Sequence, residues 1–276
     1  MTTPGDSRPP PGSESPSESV QPPGEVTASV VMRILSKRIS LQLTVSTGPT
    51  SARELLPIAH TLTQVASDIA CSESEASGKP VSCKAGCGAC CRQLVPITQP
   101  EAHQLREVVG AMPEARRIEV ERRFDNALLQ LEQADMLATL RSVELWSSIN
   151  PVEFGETYFH LGIACPFLEN ESCSIHEVRP MTCRTYSVTS PADNCRNPRR
   201  DNIVMLEYPL PRPIAAFGRA IAGAPVGMPA PWVPLVLALD YARSVPEPAP
   251  EYTGPQLLHA VFEAMTGTDV PEYSQA

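Results

Sequence analysis

Two kinds of hydrophobic periodicity follow one another near the start of the chain. Apolar and polar residues alternate over 39–45, which predicts a half-buried strand. Residues 30–35 are its expected hairpin partner, across a connection at 36–38. From 51 to about 71 the apolar positions recur at helical spacing, which predicts an amphipathic helix. Pro57 should delay the start of this helix or bend it.

In the middle of the chain, apolar residues again recur at helical spacing. Thr98 and Glu101 are typical of a capping box, which predicts a helix that ends near residue 112. Pro113 starts a second helix rich in Arg and Glu, and a third helical stretch reaches about Ile149. This segment should be a small helical unit with a solvated charged face.

The last third of the chain mixes short patterns with proline. Alternation over 157–163 and over 203–208 predicts two short strands. Apolar helical pieces follow at 233–245 and 255–265. Proline accounts for 30 of 276 residues, so we expect short helices joined by rigid turns. The fold class is therefore mainly α with a few short strands (α+β).

The net charge of −9 argues against nucleic-acid binding, which requires basic surface. The N-terminal residues do not resemble a secretory signal, and no apolar run reaches the roughly 18 to 20 residues of a membrane helix. We therefore expect a cytoplasmic protein with no membrane or nucleic-acid partner. Thiols stay reduced in that compartment, so clustered cysteines there hold metal more often than they form disulfides.

Eight of the nine cysteines form two groups of four. The first block is Cys83, Cys87, Cys90 and Cys91, and the second is Cys165, Cys173, Cys183 and Cys195. Thiolate sulfur suits zinc and iron-sulfur clusters, and four thiolates complete such a site. Gly86 and Gly88 allow close folding of the backbone around the first block. The sequence predicts one or two metal sites, with iron-sulfur slightly favoured over zinc.

Several assignments stay open at this level. Each block could bind its own metal, or the blocks could interleave, because adjacent Cys90 and Cys91 need not reach one ion. In the interleaved arrangement Cys91 shares a centre with the second block. His176 is either a ligand, a donor to a ligand, or simply a packed or exposed residue. Cys71 lies outside both blocks and is expected to be a core or surface thiol.

Two arginines flank the second block. Arg179 and Arg184 would lower the pKa of nearby thiols and offset the negative charge of a thiolate site. The alternative is that they pair with Glu169 and Glu177 on the surface.

The cysteine motifs resemble the YkgJ-type cysteine-cluster family, whose CxxCxxCC domain is associated with chelation of zinc or iron. The matching stretches are CKAGCGACCRQLVPI, CPFL, CSIHEVRPMTCR and the later Cys195, within about Ser82 to Asn197. The resemblance implies that all eight cysteines of the two blocks are ligands. His176 stands where the family pattern has Tyr, so a role of that tyrosine does not transfer. The family is also similar to flagellin lysine N-methylases, although no Gly-rich methyl-donor motif is present.

These observations predict three regions and three functions. Residues 1–24 are predicted to form a disordered Pro/Ser-rich tail. Residues 25–210 should form an irregular cysteine-rich metal-binding domain, with the helical segment 99–149 between the two blocks. Residues 211–276 should form a Pro-rich helical extension that packs on that domain. The leading hypothesis is a metal-binding protein with zinc or an iron-sulfur centre. The alternatives are an S-adenosylmethionine-dependent protein lysine N-methylase and a structural zinc module, each with an unidentified protein substrate or partner.

Overall fold

The computed structural model describes residues 24–142, 149–199, 201–225, 230–270 and 274–275, so the predicted tail lies almost wholly outside the described residues. Strands β1 (Glu25–Ile34) and β2 (Lys37–Ser46) form an antiparallel hairpin in which Ile34 pairs with Lys37. This confirms the predicted hairpin, but its connection is shorter because Lys37 already belongs to β2. Leu35 makes the tight turn with a φ of 51°.

The first long helix starts where Pro57 requires. A 3-10 turn (Ala52–Leu55) comes first, and α1 (Leu56–Ala76) then begins with Pro57 in its first turn. Proline is tolerated there because the first amides of a helix have no partner within it. The helix continues one turn beyond Cys71, so this thiol sits within α1 and not at its end.

Apart from α3, which is nearly as long as α1, the remaining described elements are short. The helices are α2 (Gln99–Gly110), α3 (Glu114–Gln133), α4 (Leu137–Arg141), α5 (Pro151–His160), α6 (Met181–Thr185), α7 (Pro213–Ile221), α8 (Ala238–Ser244) and α9 (Gly254–Thr266). The strand pairs are antiparallel: β3 (Pro49–Thr50) with β8 (Tyr252–Thr253), β4 (Pro96–Ile97) with β7 (Val233–Pro234), and β5 (Leu168–Glu169) with β6 (Ser172–Cys173). Strand β9 (Ser274–Gln275) extends the hairpin at β1. This composition confirms the α+β prediction.

The predicted strand at 157–163 is wrong, because this stretch belongs largely to α5. The side chain of Asn150 caps the helix by accepting a hydrogen bond from the Val152 amide (3.1 Å), and Pro151 occupies the first turn. These N-terminal signals outweigh the alternating pattern, and burial of Tyr158 fixes the helix on the core.

Two other sequence patterns give less regular structure than expected. The stretch 203–208 forms only a single bridge, between Met205 and Val188, so the second predicted strand is also wrong. The piece 233–245 starts as strand β7 and a 3-10 turn (Leu235–Leu237) before α8 begins. Pro234 explains this start, since it cannot donate to a preceding helical turn.

The described residues form two large hydrophobic cores. The helical core includes Leu105, Phe124, Leu131, Tyr158 and Phe167. The sheet core includes Ile34, Leu56, Met181, Phe217 and Phe262, and joins β1 and β2 to α1, α7 and α9. Met181 belongs to the sheet core, whereas Cys183, two residues later, packs on the helical core. Within the described ranges no helix has the length and apolar character to cross a membrane.

Candidate metal centre

A cavity of about 740 Å³ lies where the two cysteine blocks meet. Its lining includes every cysteine of the chain: Cys71, Cys83, Cys87, Cys90, Cys91, Cys165, Cys173, Cys183 and Cys195. All nine are free thiols. The structure therefore brings all eight predicted ligand residues to one place, although a long helical segment separates the blocks in sequence.

The first block is held by a tight turn and a short 3-10 helix. Gly86 adopts a φ of 83°, a left-handed conformation that residues with a β-carbon rarely adopt. The amide of Cys87 donates to the carbonyl of Lys84 (3.1 Å), which closes the turn. The 3-10 helix (Ala89–Arg92) follows directly and carries Cys90 and Cys91.

Gly88 lets the first block contact the hairpin that carries Cys173. A β-carbon on Gly88 would lie 2.6 Å from Leu168 Cδ1 and 3.1 Å from the Cα of Glu171. Arg92 secures the same contact, because its guanidinium donates to both carboxylate oxygens of Glu171 (3.0 and 2.6 Å). The glycine is needed here for close packing against the second block.

The buried carboxylate of Glu101 positions the segment that carries Cys183. Besides closing the predicted capping box with Thr98, it accepts a hydrogen bond from the Met181 amide (2.7 Å) at the start of α6. Nε2 of His60, on α1, lies 3.2 Å from the same oxygen, Glu101 Oε1. One side chain thus connects α1, α2 and α6 beside the cavity, a role that the capping motif alone did not reveal.

The two arginines of the second block do not form the surface pairs considered above. Arg184 donates to the backbone carbonyls of Arg179 (2.9 Å) and Glu177 (2.6 Å), and both arginines reach the amide oxygen of Gln64. Glu169 instead pairs with two arginines of α3. Arg179 Nε is buried without a partner. Two positive charges therefore stand at the cavity wall with neutral hydrogen-bond acceptors only.

Burial is the main influence on the acid–base behaviour of Cys165 and Cys183. It raises the pKa of Cys165 to about 12 and that of Cys183 well above its ordinary value, with further contributions from neighbouring thiols. The pKa of Cys90 is raised by a hydrogen bond with Cys91 and then by burial. Without metal these cysteines are neutral thiols at physiological pH.

Cys87 and Cys195 belong to a separate small hydrophobic cluster. Cys195, on the 3-10 helix Ala192–Arg196, is 4% exposed and packs with Val188. The amide of Val188 donates to Cys83 Sγ (3.4 Å). Burial and then the thiols of Cys83 and Cys87 raise the pKa of Cys195.

Two further residues reach the cavity lining. Cys71 lies on the wall near Cys83, and burial raises its pKa. The sequence predicts a core or surface thiol here, because Cys71 lies outside both blocks. Its position on the predicted helix α1 was the only sequence signal for its place on the cavity wall. His176 is an exposed part of the lining, and the nearby charge of Arg179 lowers its pKa. The imidazole of His176 therefore stays neutral, and one ring nitrogen is able to accept a hydrogen bond.

The cysteine thiols suit a thiophilic metal, and their sulfur atoms lie farther apart than the ligands of a single ion. Over the described ranges, only one group of three His, Cys, Asp or Glu residues has ligand atoms within 4.8 Å of one another. This group is His259, Glu263 and Asp269, which are exposed and lie outside the cavity. No three cysteine sulfurs are that close. Sulfurs around one zinc lie about 3.8 Å apart, given Zn–S bonds of about 2.3 Å. The thiols therefore surround a volume and would close further around a single ion.

Comparison with known proteins agrees with the cysteine chemistry. Residues 82–201 match the model of the CxxCxxCC family, described as "Putative zinc- or iron-chelating domain". The matched range contains both cysteine blocks and confirms the resemblance that the motifs indicated. No curated protein and no solved structure matches the chain significantly.

Proposed function

We propose that residues 82–201 bind zinc or an iron-sulfur centre through the eight cysteines of the two blocks. The observation that carries the proposal is the convergence of all eight side chains on one cavity of about 740 Å³. The match to a zinc- or iron-chelating domain over the same range supports it independently. Of these eight cysteines only Cys195 is fully buried and Cys83 is exposed, so packing in a hydrophobic core does not account for their convergence.

The surrounding side chains suit a negatively charged thiolate centre. Metal binding replaces the thiol protons and leaves thiolates, whose charge the metal cancels only in part. Arg179 and Arg184 supply positive charge at the wall, since neutral Gln64 is their shared side-chain acceptor. A bound centre would supply structural cross-linking and, if it contains iron, electron transfer.

We favour iron-sulfur over zinc because the sulfurs are widely spaced. No three of the nine cysteines, all of which are described, bring their sulfurs within 4.8 Å of one another. A cluster of several iron atoms needs its four thiolates farther apart than a single tetrahedral ion does, which fits this arrangement.

Anaerobic purification of the full chain tests this proposal. We expect stoichiometric iron and acid-labile sulfide with broad visible absorption, or stoichiometric zinc without colour if the centre is zinc. The structural zinc module predicts the second result together with metal-dependent folding and no redox behaviour. Protein that contains neither metal under these conditions would contradict the proposed function.

A second candidate is transfer of a methyl group from S-adenosylmethionine to a protein lysine, which the family resemblance implies. The cavity supports it, because its volume lies within the range of roughly 300–1,000 Å³ typical of small-molecule sites. Isothermal titration of the metal-loaded protein with S-adenosylmethionine provides the test. Absence of binding heat, with S-adenosylhomocysteine as a second probe, would argue against this activity.

A further inference from the structure

The cysteines of the cavity divide into two sets by what they pack against. Cys165, Cys173 and Cys183 pack on the helical core. Cys87 and Cys195 pack instead in the small cluster around Val188, which has no member in common with the helical core. The division does not follow the sequence blocks, since Cys195 lies with a cysteine of the first block.

Backbone contacts place Cys83 in the set that contains Cys195. The amide of Val188 donates to Cys83 Sγ (3.4 Å), and the carbonyl of Val188 accepts from the amide of Ser82 (2.8 Å). The segment before the first block is thus paired with the residue on which Cys195 packs. Cys83, Cys87 and Cys195 form one trio.

Both trios line the same cavity, together with Cys90 and Cys91. The two sets of cysteines therefore lie side by side around one volume.

Local geometry distributes Cys90 and Cys91 between the trios. A 3-10 helix has three residues per turn, so the adjacent residues Cys90 and Cys91 diverge by about 120°. Cys87 precedes this helix, and the two residues between Cys87 and Cys90 match the short spacing that lets one turn bring two cysteines to the same metal. The carbonyl of Cys91 accepts from the Cys165 amide (2.7 Å), which ties Cys91 to the other trio.

We infer that the cavity holds two adjacent four-thiolate centres with a crossed assignment of ligands. One centre takes Cys83, Cys87, Cys90 and Cys195, and the other takes Cys91, Cys165, Cys173 and Cys183. This assignment rests on the proposed function and goes beyond it. Each centre then cross-links the two blocks, so that metal binding at either one ties the first block to the second.

Two double variants distinguish this arrangement from one centre per block. Cys83→Ser with Cys195→Ser removes ligands from one centre only, so the variant should keep about half of the wild-type metal, because the other four-thiolate site is intact. Cys173→Ser with Cys195→Ser damages both centres and should leave almost none. One centre per block predicts the reverse for the two variants. Metal per protein is measured by mass spectrometry after anaerobic purification.

Cys71→Ser is the matched control, because it replaces a thiol of the same cavity wall that belongs to neither set. It should retain the full wild-type metal content. Wild-type protein without metal would defeat the proposed function itself. Metal-containing wild-type protein whose double variants show the reversed pattern, or equal losses in folded protein, would overturn only the crossed assignment.

A measurement on the unsubstituted protein covers the case in which a variant does not fold. The metal-loaded chain is treated stepwise with a chelator, and newly reactive thiols are alkylated with iodoacetamide and identified by mass spectrometry. Cys195 should become reactive together with Cys83 and Cys87, separately from Cys165 and Cys173. Release of Cys195 together with Cys165 and Cys173 would overturn the inference.

Discussion

At the scale of single residues, the state of the thiols sets how the protein responds to pH. Burial raises the pKa of Cys165 to about 12 and that of Cys183 well above the ordinary value. In the metal-free protein these groups carry protons at neutral pH, and each must lose its proton when metal binds. Metal binding therefore competes with protons at these sites.

We predict that metal affinity rises steeply with pH. Since the folded-state pKa values lie above neutrality, the apparent association constant should increase about tenfold per pH unit for each proton released, between about pH 6.5 and pH 8.5. Competition with a chromogenic chelator for zinc measures this slope. An affinity independent of pH would mean that the metal-free cysteines are already thiolates.

A second prediction at this scale concerns Gly88. Its φ of −96° is available to any residue, so Gly88→Ala acts only through the contact with Leu168 and Glu171. Overpacking there should lower the free energy of unfolding by about 1–3 kcal/mol and reduce metal content. Chemical denaturation and metal analysis provide the readout.

Gly110→Ala is the matched control for Gly88→Ala. Gly110 is the last residue of α2, and a β-carbon there would have no neighbour within 4 Å. Alanine should be neutral or stabilise the helix by up to about 1 kcal/mol. Equal effects of the two substitutions would show that the packing of the first block on the hairpin is unimportant.

At the scale of elements, Glu101 is the residue that joins three helices. Its carboxylate closes the capping box of α2 and accepts from the Met181 amide at the start of α6. Glu101→Ala leaves these buried amides without partners, at about 1–3 kcal/mol each. We expect a loss of about 3 kcal/mol or more in unfolding free energy. Metal content should also fall, because α6 carries Cys183.

Glu107→Ala on the same helix is the comparison. Glu107 is exposed and pairs with Arg53 at the surface, where an ion pair contributes at most about 1 kcal/mol. This variant should keep its metal and nearly all its stability. If Glu101→Ala resembled it in both thermal unfolding and metal content, the connecting role of Glu101 would be wrong.

At the scale of the whole molecule, both hydrophobic cores contribute to the free energy of unfolding, but only the helical core should also affect metal binding. Phe262 is fully buried in the sheet core, away from the cavity, whereas Phe167 belongs to the helical core and lines the cavity. Alanine at either position should cost about 3–5 kcal/mol. Only Phe167→Ala should also weaken metal binding in the folded state. Parallel denaturation and metal titration test this difference, and equal losses of metal affinity would contradict it.

The C-terminal region completes the sheet core. Leu258 and Phe262 of α9 pack in the same cluster as Ile34 of β1. Gly254 lies so close to β2 that a β-carbon would meet the carbonyl oxygen of Ser46 at 2.1 Å. The division of the chain into three regions, with boundaries at residues 24 and 210, stays a prediction.

The sequence by itself determined the features that depend on near neighbours. The β1–β2 hairpin, the delayed start of α1 at Pro57 and the capping box at Thr98 follow from periodicity and local hydrogen bonding within a few residues. The type of chemistry was also readable, because clustered cysteines at short spacing are typical of metal sites.

Only the tertiary structure decided which distant groups meet. Cys71 reaches the cavity wall, Glu101 reaches α6, and the arginines turn towards the thiols and away from Glu169. Residues 157–160 became helical because capping by Asn150 and burial of Tyr158 outweighed a weak alternation over 157–163. Such outcomes depend on how elements distant in sequence pack into the two cores, and no local pattern encodes that packing.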